Sequence, residues 1–170
     1  MSVFECKFRS VFLICGVVVA LGLSASEIRA AMIEPPNPLD LTQGKWELQP
    51  EKSRYCGPAP QSSSRVIFDA GWGLISTIWS GVGADGNPTA NRYVARYDGE
   101  KYPAGINSPA NEAITWTLVN PHRLEFIHWS KDDKITSEYV RIVSEDGQTM
   151  TQNAKFVGKA CEESQVFERR

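Results

Sequence analysis

Short runs rich in Val, Ile, Thr, Tyr, Phe and Trp recur from Lys45 to Arg169, and nearly every one is followed by a cluster of Gly, Asn, Asp or Pro. Branched and aromatic side chains fit a pleated surface, and the clusters supply turns, so this alternation reads as strand after strand. No stretch after residue 31 carries an apolar stripe at helical spacing with caps, beyond one short turn around Leu39–Gln43. The runs predict strands near Lys45–Leu48, Ser64–Ala70, Leu74–Val82, Asn91–Tyr97, Lys101–Tyr102, Ala113–Val119, Arg123–Ser130, Ile135–Val143, Thr149–Val157 and Ser164–Arg169. Asp98-Gly99, Asn120-Pro121, Asp132-Asp133 and Asp146-Gly147 are hairpin connections, with a wider Asp85-Gly86-Asn87-Pro88 loop. Short connections make consecutive strands antiparallel neighbours. An all-β, up-and-down meander of eight to ten strands must bury one face and hide its edges, so it closes into a barrel; a β-sandwich is the alternative.

The N-terminus has a different character. Lys7 and Arg9 precede an apolar run, Val11–Leu23, of about a dozen residues, followed by small residues. That is the pattern of a secretory signal, and it is shorter than the roughly 20 residues a spanning helix needs. Residues 1–30 are expected to be removed, with cleavage after Ala25 or Ala30, leaving no membrane span in the mature chain and placing the protein in the periplasm or outside the cell. A Pro-rich lead-in arm, 31–43, contains Pro35, Pro36 and Pro38, and the barrel domain covers 44–170. What remains is room for one core. The 18 basic and 20 acidic residues of the full chain give a net charge of −2, which argues against a nucleic-acid surface.

Export also sorts the four cysteines. Cys6 and Cys15 leave with the signal. Cys56 and Cys161, 105 positions apart, remain in a compartment where disulfides persist, and one bridge is the expected pairing.

Period-two alternation assigns faces. Tyr93, Ala95 and Tyr97 form one inward set, Leu124, Phe126 and His128 another, and Ile114, Trp116 and Leu118 a third. Trp79 and Ile78 lie on opposite faces, and the pattern does not choose between them.

Gly44-Lys45-Trp46 at the head of the first strand resembles the Gly-x-Trp of lipocalins and related calycin barrels. Together with Glu47-Leu48, Glu51-Lys52-Ser53, Gly57-Pro58-Ala59-Pro60, Arg96-Tyr97-Asp98-Gly99-Glu100-Lys101-Tyr102-Pro103 and Ser144-Glu145-Asp146-Gly147-Gln148-Thr149, the stretch from Leu41 to Arg170 is similar to a group of small exported bacterial lipocalin-like proteins. The resemblance implies a barrel plugged at one end by Trp46, with a late arginine packed over it. Arg141 and Arg169 are the two candidates. No catalytic residue is carried over, and no Thr-Asp-Tyr motif is present.

Chemistry-bearing constellations are few. His122 and His128 lack a third convergent ligand for zinc. Asp85, Asn87, Thr89 and Asn91 alternate as in a calcium loop, but Ala90 replaces its glycine and Arg96 its bidentate acid. No Gly-x-Ser-x-Gly elbow occurs. The chain therefore reads as a non-enzyme without metal or cofactor. In one reading Tyr93, Tyr97, Trp116, Phe126 and Tyr139 line a pocket for a small hydrophobic or amphipathic ligand, with Arg92, Arg96 or Arg141 taking an acidic headgroup. In the other, a solidly packed barrel docks on an envelope protein through Trp129, Trp72 or the Pro-rich arm.

Overall fold

A computed structural model describes residues 40–109 and 111–170; the expected signal segment and most of the lead-in arm lie outside the described residues. The ten strands are β1 (Gly44–Leu48), β2 (Ser62–Gly71), β3 (Leu74–Val82), β4 (Pro88–Ala95), β5 (Tyr102–Pro103), β6 (Ala113–Asn120), β7 (Arg123–Trp129), β8 (Ile135–Val143), β9 (Thr149–Phe156) and β10 (Glu162–Arg169). They form one antiparallel sheet in the order β4-β3-β2-β1-β10-β9-β8-β7-β6-β5. Each strand pairs with its chain neighbours except β4 with β5, and the first pairs with the last through Trp46↔Arg169, Glu47↔Glu168 and Leu48↔Phe167. The meander is thus a nearly closed barrel of the lipocalin type.

One seam is not a strand ladder, because β4 and β5 are the two ends of the sheet order. β4 ends at Ala95 rather than at Tyr97, since the chain there leaves β3 and turns beneath β6, where the Gly99 amide donates to the Trp116 carbonyl at 2.9 Å. The loop after β5 closes the seam. Asn107 Nδ2 donates to the Ala90 carbonyl at 2.7 Å, and the Ile106 amide donates to that of Arg92 at 3.3 Å. Gly105 makes this approach possible, because at φ 105° a Cβ would run into the Asn91 side chain and the Arg92 carbonyl.

The end of the barrel marked by Trp46 is solid. Trp46, Ile67, Ile75, Trp116, Leu124, Val143, Met150 and Phe167 are each no more than 3% exposed and form one apolar cluster. Burying side chains of this size stabilises by about 1.5–3 kcal/mol each, the dominant favourable contribution to such a barrel. The visible end of the lead-in locks this floor. The Leu41 amide donates to the Pro121 carbonyl at 3.0 Å, and the Asp40 carboxylate accepts from the Thr42 amide and hydroxyl and from the Tyr97 hydroxyl. At the opposite end the connection from β1 to β2 runs beside β10. Arg54 and Ser164 exchange backbone hydrogen bonds of 2.7 and 2.9 Å, and a disulfide joins Cys56 to Cys161.

Candidate functional site: a charged cavity with aromatic walls

The inward stripes of seven strands leave a cavity of about 230 Å³ in the half of the barrel toward the disulfide. β2 supplies Ser63 and Arg65, β3 Trp79, β4 Thr89 and Tyr93, β7 Phe126 and His128, β8 Tyr139 and Arg141, β9 Gln152 and Phe156, and β10 Glu163 and Gln165. The pairing of β2 with β3 places Arg65 opposite Trp79, which turns Trp79 inward and leaves Ile78 37% exposed on the outer face.

The walls are rings in mutual contact. Phe126 and Tyr139 stack at 4.5 Å with an interplanar angle of 2°. His128 meets Tyr139 at 5.0 Å and Tyr93 edge-on at 5.8 Å, and Phe156 meets Tyr139 edge-on at 6.2 Å. Such pairs prefer these offset and edge geometries and restrict one another's rotamers.

The polar groups concentrate on a single belt. Across β10, β9 and β8 the register aligns Gln165, Gln152 and Arg141, all pointing inward. Arg141 Nε donates to Gln152 Oε1 at 2.9 Å, and Arg65 Nη1 donates to the same oxygen at 2.8 Å. Arg65 Nη2 reaches Gln165 Oε1 at 3.1 Å. Arg65 lies 4.6 Å over the Phe167 ring and Arg141 4.8 Å over that of Phe126.

Among the described residues no carboxylate forms an ion pair with either guanidinium, and the buried Arg65 Nε and Arg141 Nη1 have no hydrogen-bond partner. Burial and then the charge of Arg141 pull Arg65 down to about 9, and burial pulls Arg141 down to about 10. Both stay cationic at neutral pH. The same burial, helped by Arg141, holds His128 down at about 4, so its ring is neutral there. With two guanidinium groups against the single lining carboxylate of Glu163, the cavity carries net positive charge against an aromatic wall, which suits a ligand with an anionic end.

Tyr93, Phe126, Tyr139 and Arg141 line this cavity, whereas Tyr97 and Trp116 stand outside it, 6.0 Å apart in the packed floor. The barrel narrows onto Trp46 there, and the Tyr97 hydroxyl is taken by Asp40. Trp46 is 1% exposed, its Nε1 donates to the Thr42 carbonyl at 2.7 Å, and Arg169 covers its ring at 4.2 Å. Arg169 thus occupies the place over the tryptophan, while Arg141 enters the cavity. Arg92 turns outward and its Nε donates to Ser76 Oγ at 3.1 Å, and Arg96 is exposed. Trp72 is 75% exposed at the tip of the β2–β3 hairpin, and Lys101 Nζ lies 3.8 Å over the ring of Trp129.

Sequence reasoning did not single out Arg65, Gln152 or Gln165. A signal existed, because Gln152 sits between Met150 and Ala154 in a period-two inward set and Arg65 shares a face with Ile67. A polar residue inside such a set is a cavity residue or an orphan.

No protein-family model matches the chain, and no curated protein matches it in sequence. Solved structures do. The wild-type fluorescent protein UnaG superposes with a TM-score of 0.57 over 75% of this chain and 96% of its own, at 12% identity. Fatty-acid-binding protein 1 of Echinococcus granulosus gives 0.55 over 76% and 97%, at 14% identity. The Schistosoma mansoni fatty-acid-binding protein in complex with arachidonic acid gives 0.55 over 78% and 98%, at 11% identity. At these identities the likeness is one of fold: the chain has the barrel of the fatty-acid-binding and calycin type.

Proposed function

We propose that this chain is an exported binding protein, a carrier rather than an enzyme, that holds a small hydrophobic or amphipathic ligand in the barrel and takes an anionic end of it on Arg141 and Arg65. The observation that carries the reading is the pair of guanidinium groups, both bonded to the one oxygen of Gln152 and neither in an ion pair with a carboxylate among the described residues, at an aromatic-walled cavity. A buried charge without a counter-charge is costly, and a bound carboxylate would offset that cost with charge-assisted hydrogen bonds. The fatty-acid-binding neighbours support a ligand-holding barrel at the level of fold. The segment Lys7–Leu23 supports export.

A second reading, docking on an envelope protein, is favoured by Trp72, an indole held in solvent at φ 59° between Gly71 and Gly73. Native mass spectrometry of the protein purified from the periplasm, followed by extraction under denaturing conditions, separates the two. A stoichiometric adduct released on unfolding is the expected result and names the ligand class. A bare mass from protein that also ignores acyl and aromatic probes would overturn the binding reading in favour of docking, and absence of the processed protein from both the periplasm and the medium would overturn export.

A further inference from the structure

The cavity has no aliphatic wall. None of the residues lining it is Val, Leu, Ile or Met, and its apolar surface comes from the rings of Trp79, Tyr93, Phe126, Tyr139 and Phe156 together with Pro60. Alkyl chains are usually accommodated by flexible aliphatic side chains, whereas rigid planar rings form a slot that favours stacked or edge-on planar partners. The cavity is also shallow. Trp116, Leu124, Met150 and Phe167 are each no more than 2% exposed beneath it, so no tunnel continues toward Trp46. Its volume, about 230 Å³, is below the roughly 300–1,000 Å³ of sites that enclose a drug-sized ligand. Two donors, Arg65 Nε and Arg141 Nη1, are buried there with nothing to bind.

We propose that the ligand is a compact aromatic carboxylate, a one- or two-ring planar acid whose ring lies among Tyr93, Phe126 and Tyr139 and whose carboxylate is taken by Arg141 and Arg65. This rests on the ligand-binding reading above and narrows it away from long acyl chains. The aromatic wall selects shape, and the guanidinium pair selects charge. Aromatic rings also gain from the cationic groups already stacked on Phe126 and Phe167, because the same electrostatics hold a π-face beside a guanidinium.

Isothermal titration calorimetry on the purified protein tests it with four probes: 2-naphthoate, the uncharged 2-naphthamide, octanoate and palmitate. The expected result is stoichiometric binding of 2-naphthoate, at least about tenfold tighter than each of the other three. Quenching of Trp79 emission over the same concentration range, abolished in Trp79→Phe, places the naphthyl ring in the cavity. Palmitate binding as tightly as 2-naphthoate would overturn the aromatic assignment while leaving a ligand-binding barrel. Equal binding of the amide would overturn the role given to the guanidinium pair. Failure of all four to bind would overturn the binding reading itself and this inference with it. Arg141→Met is expected to weaken 2-naphthoate at least about tenfold without weakening 2-naphthamide, and the wild-type comparison stands independently of how that variant folds.

Discussion

The guanidinium of Arg169 lies 4.2 Å from the centroid of the Trp46 ring, and its nitrogens donate to the carbonyls of Leu41, Gln43 and Gly147. One side chain of the last strand thus covers the indole of the first and ties down the lead-in and the β8–β9 turn. Gly44, at φ 135°, leaves the space that the guanidinium fills. Trp46→Ala is expected to destabilise by about 3–5 kcal/mol, as removing a fully buried aromatic does. Arg169→Ala is expected to cost about 2–3 kcal/mol, because three carbonyls lose a charged donor. Urea midpoints at fixed m-value measure both, and a loss below about 1 kcal/mol for Trp46→Ala would contradict its place as the floor.

Stability is expected to fall as pH drops from about 6.5 toward about 4. His128 is held at about 4 in the folded chain by burial among Tyr93, Phe126 and Tyr139 and by the charge of Arg141, against an ordinary value near 6.5. Within that window the unfolded chain binds a proton that the folded chain does not, so protonation favours unfolding. The loss is on the order of 2–3 kcal/mol and vanishes above about pH 7, where both forms are neutral. Urea midpoints as a function of pH, with His128→Gln as the flattened control, measure it.

Arg141→Met is expected to raise stability in the absence of ligand by about 1 kcal/mol, since it removes a buried charge with no acidic partner. A purely structural arginine would do the opposite. Thermal melts of the two proteins, with and without 2-naphthoate, compare them directly.

Reducing the Cys56–Cys161 bridge, or replacing both cysteines by Ser, is expected to cost about 2–5 kcal/mol, because the bridge closes a 105-residue separation. Nonreducing denaturation with a thiol reagent should find neither of these sulfurs free.

The strands were legible because Leu74–Val82 and Ile135–Val143 are rich in branched and aromatic residues between turn residues, and the structure has them with those bounds. The faces of β4 and β7 followed from period-two alternation, so Tyr93, Phe126 and His128 were placed inward. Height along the barrel axis was not legible. It depends on the stagger between strands, which period two does not encode. Hence Tyr97 and Trp116 could not be told from wall residues, nor Arg141 from Arg169. The same stagger brings Arg65 of β2 to Gln152 of β9, residues 87 positions apart in the chain, and no local pattern marks that meeting.

Closure through β1 and β10 also governs when the molecule can come into being. The ladder that completes the ring needs Leu48 against Phe167 and Trp46 against Arg169, residues from opposite ends of the domain. Hairpins between neighbouring strands can form and dissolve early at little entropic cost, but the ring has no closed intermediate until the final strand arrives. Until then β1 and β9 each present a bare edge to other chains. A ribosome-bound chain is therefore committed to waiting, and the last eight-residue strand, Glu162–Arg169, acts as the latch on assembly.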